Sequence, residues 1–345
     1  MIDFLSEYFD FNFLSSFPAR LLLSFFTAFF IVVLPGRKFI SFLRHKQGKG
    51  QPIREDGPQS HLLTKKGTPT MGGIMIIGSI LLSTLLWGKI NNIFVITSLV
   101  VLVIYALVGF IDDYEKVTKQ TSNAMTPKMK LLLQFTVSLL CILTVCHATP
   151  NEIEFSIRLP FIKYFILNLS WFYIPFAMVV IAGASNAVNL TDGLDGLAAG
   201  LLAIIFSFFV LICFESSMMI KGADEVAIIC ASVVGGCVGF LWFNFYPAKV
   251  FMGDTGSLSL GALLGTVSVI TKSEFMLALV GLIFVVEAVS VMLQVLWFKK
   301  TGKRIFRMAP IHHHFEQLGL PETTIVIRFW IIGLILAIIG LVAVA

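Results

Sequence analysis

The chain has 345 residues, of which 57% are hydrophobic and only 13% are charged. A water-soluble domain carries about a quarter charged residues, so this chain lacks the polar surface to cover itself in water, and much of its solvent is lipid. The formal net charge of +5 does not point to nucleic acid, because the basic residues sit between apolar runs, where they orient a protein in a membrane. Cys141, Cys146, Cys213, Cys230 and Cys237 lie in or beside apolar runs and form no CxxC pair. That excludes a zinc ribbon or a disulfide framework and leaves small apolar packing residues. Asp3, Glu7 and Asp10 stand where a signal peptide has its basic region, which argues against a cleaved leader.

A spanning helix needs about 20 mainly apolar residues. The first candidate, near 17–35, leads into a basic loop whose Gln47–Thr70 half is rich in Gly, Pro, Lys and Gln and is expected to be irregular. The second, near 71–87, opens on Gly67-Thr68-Pro69-Thr70-Met71-Gly72-Gly73, preceded by Lys65 and Lys66. A helix start made of small residues is a natural anion site, although paired glycines also serve close helix packing. The third, near 92–111, ends in Gly109-Phe110-Ile111-Asp112-Asp113-Tyr114, and the fourth lies near 129–147. Residues 149–170 alternate partially at Glu154, Ile157 and Leu159, as a short hairpin does. The fifth, near 171–188, carries Pro175 and runs into Asn189-Leu190-Thr191-Asp192-Gly193-Leu194-Asp195-Gly196, followed by the sixth near 195–213. The seventh, near 226–243, is followed by Asn244 and Phe251-Met252-Gly253-Asp254-Thr255-Gly256-Ser257. The eighth, near 257–270, is short enough to pack inside the bundle. The ninth, near 276–297, holds Glu287 and precedes Pro310-Ile311-His312-His313-His314-Phe315-Glu316, and the tenth lies near 325–344.

The fold expected is all-α, a polytopic membrane protein of about ten transmembrane helices forming one domain over residues 1–345. The loops after the first, third, seventh and ninth helices hold eighteen Lys and Arg residues, against six on the other side. Positive loops stay inside, so both termini face outward. On that topology every acidic and histidine motif falls at the inner boundary. Topology was set by Lys and Arg alone, which makes the clustering a separate observation.

Asp192 and Asp195 have an ordinary reading as helix-start acids for the sixth helix, and Asp254 has the same reading for the eighth. Asp112 and Asp113 do not, since they sit at a predicted helix C-terminus, where the dipole disfavours anions and a compensating cation is required. Five carboxylates at one face suit a hard divalent cation such as Mg²⁺, which takes few carboxylates and shares its shell with substrate phosphates. The three histidines cannot all point one way from a regular element. They read as a solvated loop, a soft-metal site or phosphate donors beside Arg304 and Arg307. Glu287 is an intramembrane acid and so a functional candidate; with no basic partner evident, polar helix–helix contact is favoured over catalysis.

Together Thr68-Pro69-Thr70-Met71-Gly72-Gly73, Asp112-Asp113-Tyr114, the Asn189–Ala198 run, Phe251–Leu258 and His312-His313-His314-Phe315-Glu316 resemble the phospho-N-acetylmuramoyl-pentapeptide-transferase family. That family lies within the polyprenyl-phosphate N-acetylhexosamine-1-phosphate transferases. The resemblance covers nearly the whole chain, and the triple histidine separates this family from its sisters. It implies a UDP-N-acetylmuramoyl-pentapeptide donor, an undecaprenyl phosphate acceptor, and lipid I and UMP as products. It also implies Mg²⁺, a homodimer in the bacterial inner membrane with periplasmic termini, and a site facing the cytoplasm. By the same resemblance Asp254 is the metal ligand, and Asp112, Asp113 and Asp254 are catalytic. Lys66, Thr70, Lys116, Asn189, Asp192, Asp195, Asn244, Phe251, His312, His313 and His314 bind substrate. Two other readings stay open: a sister transferase using UDP-N-acetylglucosamine, and an ion-coupled transporter, for which only Glu287 speaks. Direct attack by the lipid phosphate is favoured over a phospho-aspartyl intermediate.

Overall fold

The structure is a computed structural model that describes residues 16–48, 50, 65, 67–120, 125–162 and 166–344. Twelve α-helices follow one another among the described residues. They are α1 (Phe17–Gln47), α2 (Gly73–Trp87), α3 (Ile93–Lys119), α4 (Pro127–Ala148), α5 (Tyr173–Thr191), α6 (Leu197–Ser216), α7 (Asp224–Asn244), α8 (Gly253–Ile270), α9 (Glu274–Val280), α10 (Leu282–Thr301), α11 (Ile311–Gln317) and α12 (Glu322–Val344). Eight of the described helices are long and apolar enough to cross a membrane, and α2 is a shorter apolar helix. The chain is therefore a multi-pass, all-α membrane protein. The expected hairpin is also present: β1 (Ser156–Arg158) pairs antiparallel with β2 (Ile166–Asn168), Ile157 opposite Leu167.

Two helices form the centre. In α8 every residue from Thr255 to Ile270 is buried, so the short eighth segment does pack inside the bundle, between α3 and α5. α7 packs against α1 and α6 and is buried along most of its length. The exterior of the bundle shows large apolar side chains, for example Leu34, Phe172, Trp242 and Val342, as a surface solvated by hydrocarbon requires. Small residues let the central backbones touch. A Cβ at Gly73 would overlap the backbone of Gly256, and one at Gly109 would overlap the Asp254 carbonyl. These contacts bring the starts of α2 and α8 and the lower half of α3 to one end of the bundle.

Three boundaries differ from the sequence reading. α1 continues through Pro35 to Gln47, so Arg37, Lys38 and Arg44 extend a helix and do not lie in a loop. A proline is tolerated inside a membrane helix where neighbours re-satisfy the freed carbonyl. α3 runs on to Lys119. The ninth segment breaks at Gly281 into α9 and α10.

Two arginines at the hairpin end of the bundle are held in ion pairs. Arg20, buried at the start of α1, forms a bidentate ion pair with Glu225 of α7, and its Nε donates to the Trp87 carbonyl at 2.9 Å. This ties α1, α2 and α7 together. Arg158 of the hairpin reaches Glu215 at 3.1 Å and the Thr271 carbonyl at 3.2 Å. Removing one partner of a buried pair leaves an uncompensated charge, which costs more than the pair contributes. Arg20→Met is expected to lower stability by about 3 kcal/mol, and Arg20→Met with Glu225→Met should regain most of it. Thermal unfolding in detergent measures both.

Candidate active site

The centre of the site is two carboxylates facing two ammonium groups. Asp112 on α3 and Asp254 in the first turn of α8 share both lysines. Lys116 Nζ lies 2.7 Å from Asp112 Oδ2 and 3.1 Å from Asp254 Oδ2, while Lys130 Nζ lies 3.6 Å and 2.7 Å from the same oxygens. Lys116 is one turn beyond Asp112 on α3, the i,i+4 spacing that brings side chains together. Asp254 is held on its other oxygen by Asn189 of α5, whose Nδ2 donates at 2.8 Å. Asp112 Oδ1 accepts from the Met125 N–H at 3.0 Å. Four segments thus meet on one pair of anions.

Asp113 is engaged differently. It is fully buried and accepts the Asp254 N–H at 3.1 Å, the Thr255 N–H at 2.9 Å and the Thr255 hydroxyl at 2.7 Å. These are orphan donors of the α8 N-terminus, so Asp113 caps α8 from a neighbouring helix. The two aspartates were expected at a helix end with no capping role. α3 continues past them, which removes the dipole argument. The compensation it demanded is still found, as Lys116 and Lys130 for Asp112 and as the α8 N-terminus for Asp113.

The Thr-Pro-Thr-Met-Gly-Gly segment is stitched to the Phe251 segment. Phe251 N–H donates to the Pro69 carbonyl at 2.8 Å, and the Gly72 and Gly73 N–H groups donate to the Phe251 and Met252 carbonyls at 2.8 and 2.9 Å. Those amides are therefore spent on the protein, and the start of α2 is not an open anion site. Thr70 is fully buried, with its backbone N–H and carbonyl paired to the Gln47 amide. Phe251 is half-buried.

The turn between α5 and α6 carries Asp192 and Asp195. Neither caps α6, whose N-cap is Gly196 with φ +80°. Asp195 accepts the Ala248 N–H at 2.9 Å and pairs with Lys65 at 3.0 Å. Lys65 also lies 2.7 Å from Glu322, at the start of α12, which accepts the Asp195 N–H at 2.6 Å. Burial alone depresses the Lys65 pKa, but Glu322 and Asp195 outweigh it and raise it above the ordinary lysine value. Asn244 knits the next loop: it accepts the Gly196 N–H at 3.0 Å and donates to the Val250 carbonyl at 2.9 Å. Asp192 keeps a part-exposed edge. Its enclosed carboxyl is pushed well above the usual carboxylate range by burial first, then by Asp254 and Asp113, with Lys65 opposing.

The histidines stand on α11, with the His312 and His313 ring centroids 4.1 Å apart and His314 set against Phe306. His313 Nδ1 lies 2.6 Å from Glu316, and His314 Nδ1 accepts the Arg307 N–H at 3.1 Å. His312 turns into the bundle, 3.0 Å from Glu287. Glu287 therefore has an imidazole partner, contrary to the expectation of none. The structure brings Asp112, Asp113, Lys116, Asn189, Asp192 and Asp254 together, with Asp195, Asn244, Thr70, Phe251 and the histidines around them. Lys66 lies outside the described residues. The sequence reading passed over Lys130 and Glu322. Lys130 did carry a signal, since a cation in the first turn of a helix opposes the dipole and needs an outside anion.

Among the described residues no three His, Cys, Asp or Glu side chains close on one point, so a closed soft-metal site is absent there. Two carboxylate oxygens already converge on shared positive charge at Asp112 and Asp254. That open, hard-oxygen donor set is the kind Mg²⁺ uses when phosphates and water complete its shell.

The model of glycosyl transferase family 4 matches residues 94–272, and phospho-N-acetylmuramoyl-pentapeptide-transferase signature 1 matches residues 65–77. The chain is 48% identical over 330 residues to a phospho-N-acetylmuramoyl-pentapeptide-transferase of Caulobacter vibrioides, covering 91% of this chain and 89% of that protein. It is 51% identical over 328 residues to the protein of the same name from Ruegeria pomeroyi, covering 92% and 91%.

A carboxyl whose pKa is higher folded than unfolded opposes folding as pH rises, from about 3.9, the unfolded value, up to the folded value, and at a constant level above it. Asp192→Asn removes that penalty. In the metal-free protein the variant is expected to unfold at a higher temperature than wild type at neutral pH, with the difference shrinking toward pH 4. Thermal melts across that range check this.

Proposed function

Because the chain belongs to the phospho-N-acetylmuramoyl-pentapeptide-transferase family, we propose that it moves phospho-N-acetylmuramoyl-pentapeptide from its UDP-linked donor to undecaprenyl phosphate. The products are lipid I and UMP, and the site faces the cytoplasm from the bacterial inner membrane. The observation that carries this reading is the Asp112–Asp254–Lys116–Lys130 cluster, set at the bundle end that also holds the Asp192–Asp195 turn and the histidine helix.

The reaction joins two anions. An oxygen of the lipid phosphate attacks the β-phosphorus of the donor, and the bond to UMP breaks. Its barrier is largely electrostatic, so catalysis is mostly positioning and charge stabilisation. Lys116 and Lys130 provide two ammonium groups within reach of the carboxylates; once phosphates enter, the same groups stabilise negative charge on them. Asp254 and Asp112 are the residues that would hold Mg²⁺, which when bound neutralises charge on the pyrophosphate. Asn189 keeps Asp254 turned toward the lysines. Asp112 takes the last proton of the lipid phosphate when that proton is present; a phosphate second pKa near 6 makes this a partial need at neutral pH. Asp113 acts indirectly, since its carboxylate holds the α8 N-terminus and through it Asp254. Direct attack fits this division of labour better than a phospho-aspartyl intermediate, because Asp254 is a shared ligand of two cations and a weak nucleophile.

The surroundings fit the donor's parts. Lys65, Asp195 and Asn244 rigidify the Asp192 turn for the uridine. Phe251 lies beside it for the uracil, and His313 and His314 with Arg307 line the rim for phosphate and sugar. The transporter reading rested on Glu287, and its pairing with His312 at the same end attaches it to this site.

Purified protein in detergent with undecaprenyl phosphate and Mg²⁺ is expected to release UMP from UDP-N-acetylmuramoyl-pentapeptide. It should release none without the lipid and fall to background with a chelator. Turnover of UDP-N-acetylglucosamine in place of the muramoyl nucleotide would overturn the donor assignment.

A further inference from the structure

Glu287 sits in α10, fully buried, with His312 of α11 fully buried beside it. Its Oε2 lies 3.0 Å from His312 Nδ1. The remaining polar atoms of the pair, Glu287 Oε1 and His312 Nε2, are buried and have no hydrogen-bond partner among the described residues. An acid that served only to glue spanning helices would meet another spanning helix; this one meets a seven-residue helix that belongs to the site. With Glu287 ionised and His312 neutral, the carboxylate accepts and the imidazole proton facing it is on Nδ1. The free end of the ring is then Nε2, an acceptor. It lies against Gly193, where a Cβ would overlap it and come within 3.0 Å of ring carbon Cε1. Gly193 is the glycine between Asp192 and Asp195, so the ring lies under the turn read above as the nucleotide pocket.

We propose that Glu287 is a positioning residue for the transfer reaction: from inside the bundle its carboxylate fixes His312 in the Nδ1–H tautomer and so presents Nε2 to the Gly193 turn. The proposal rests on the transferase reading for its kinetic consequence and on geometry alone for the tautomer. Metal-ligating histidines are routinely oriented by an acceptor on their other nitrogen, and loss of that acceptor typically costs about 10- to 100-fold in affinity or activity; the same geometry holds His312. In Glu287→Gln the amide offers both an oxygen and an NH₂ group to Nδ1, so the tautomer is no longer fixed.

The test combines kinetics with nitrogen-15 NMR of histidine-labelled protein. The His312 signals are assigned by their loss in His312→Gln. With UDP-N-acetylmuramoyl-pentapeptide and undecaprenyl phosphate, Glu287→Gln and His312→Gln should each lower kcat by about 10- to 100-fold. The double variant should fall no more than about 2-fold below the poorer single, because the two residues act as one unit. Glu287→Asp, which keeps a carboxylate, should recover part of the loss. By NMR the wild-type His312 proton is on Nδ1, and in Glu287→Gln the signal moves toward a tautomer mixture. A wild-type proton on Nε2, wild-type kcat in Glu287→Gln, or single losses that multiply in the double variant would each overturn the proposal. If Glu287→Gln does not fold, Glu287→Asp replaces it in the cycle with the same non-additivity required. A wild type with the Nδ1 proton that released no UMP would overturn the transferase reading instead.

Discussion

The site depends on one constraint, that negative charge placed at the end of an apolar bundle must meet positive charge or oriented donors on the spot. Taking a carboxylate out of water costs several kcal/mol, recovered only when geometry and hydrogen bonds are good. Asp112, Asp113 and Asp254 all satisfy it, by two different means. Asp112 and Asp254 use the ammonium groups of Lys116 and Lys130. Asp113 uses the backbone and hydroxyl donors at the start of α8. The second arrangement supports the first: Asp113 fixes where α8 begins, α8 carries Asp254 in its first turn, and Asp254 completes the cluster. α8 can be aimed this way because it is the buried axis of the bundle, in contact with α3 and α5, the helices that bring Asp112, Lys116 and Asn189.

Under the proposed function, a cluster of this kind is poised for phosphoryl transfer. The lysines hold the acids together in the free protein and remain as cations when phosphates arrive. The surrounding pairs (Lys65 with Asp195 and Glu322, Asn244 with Gly196 and Val250) serve shape. They hold a turn that regular helix could not supply, at a helix boundary where irregular backbone is packed against protein instead of lipid. Rigid support around a charged centre is what lets preorganised groups act without reorganising at the moment of reaction.

Much of this was legible in the sequence, and the reasons are specific. Apolar runs gave the helices, because in a bilayer the length of a run is the signal. Lys and Arg in the loops grouped the acidic motifs at one boundary. Composition could not show where helices end beyond the apolar run. α3 carries Glu115, Lys116 and Lys119 after its long apolar run and stays helical, so Asp112 and Asp113 are not terminal. Long-range partners were also hidden. Asp113 caps a helix whose first residue lies 140 positions later in the chain, and His312 finds Glu287 across 25 residues. Glu322 carries no local signal, because its partner Lys65 lies 257 positions away in the chain. Lys130 was the one missed residue with a local signal, a cation at the wrong helix end.

The central claim is that Asp254 and Asp112 form the reacting centre while Asp113 supports it structurally. The most direct measurement is kcat for UMP release alongside thermal stability for Asp254→Asn, Asp112→Asn and Asp113→Asn. The account predicts that Asp254→Asn loses turnover by a factor on the order of 10²–10³, the usual loss when an electrostatic group at the reacting centre is removed, in protein that stays folded. Asp113→Asn should lose stability together with activity. An Asp254→Asn protein that turned over at the wild-type rate would contradict it.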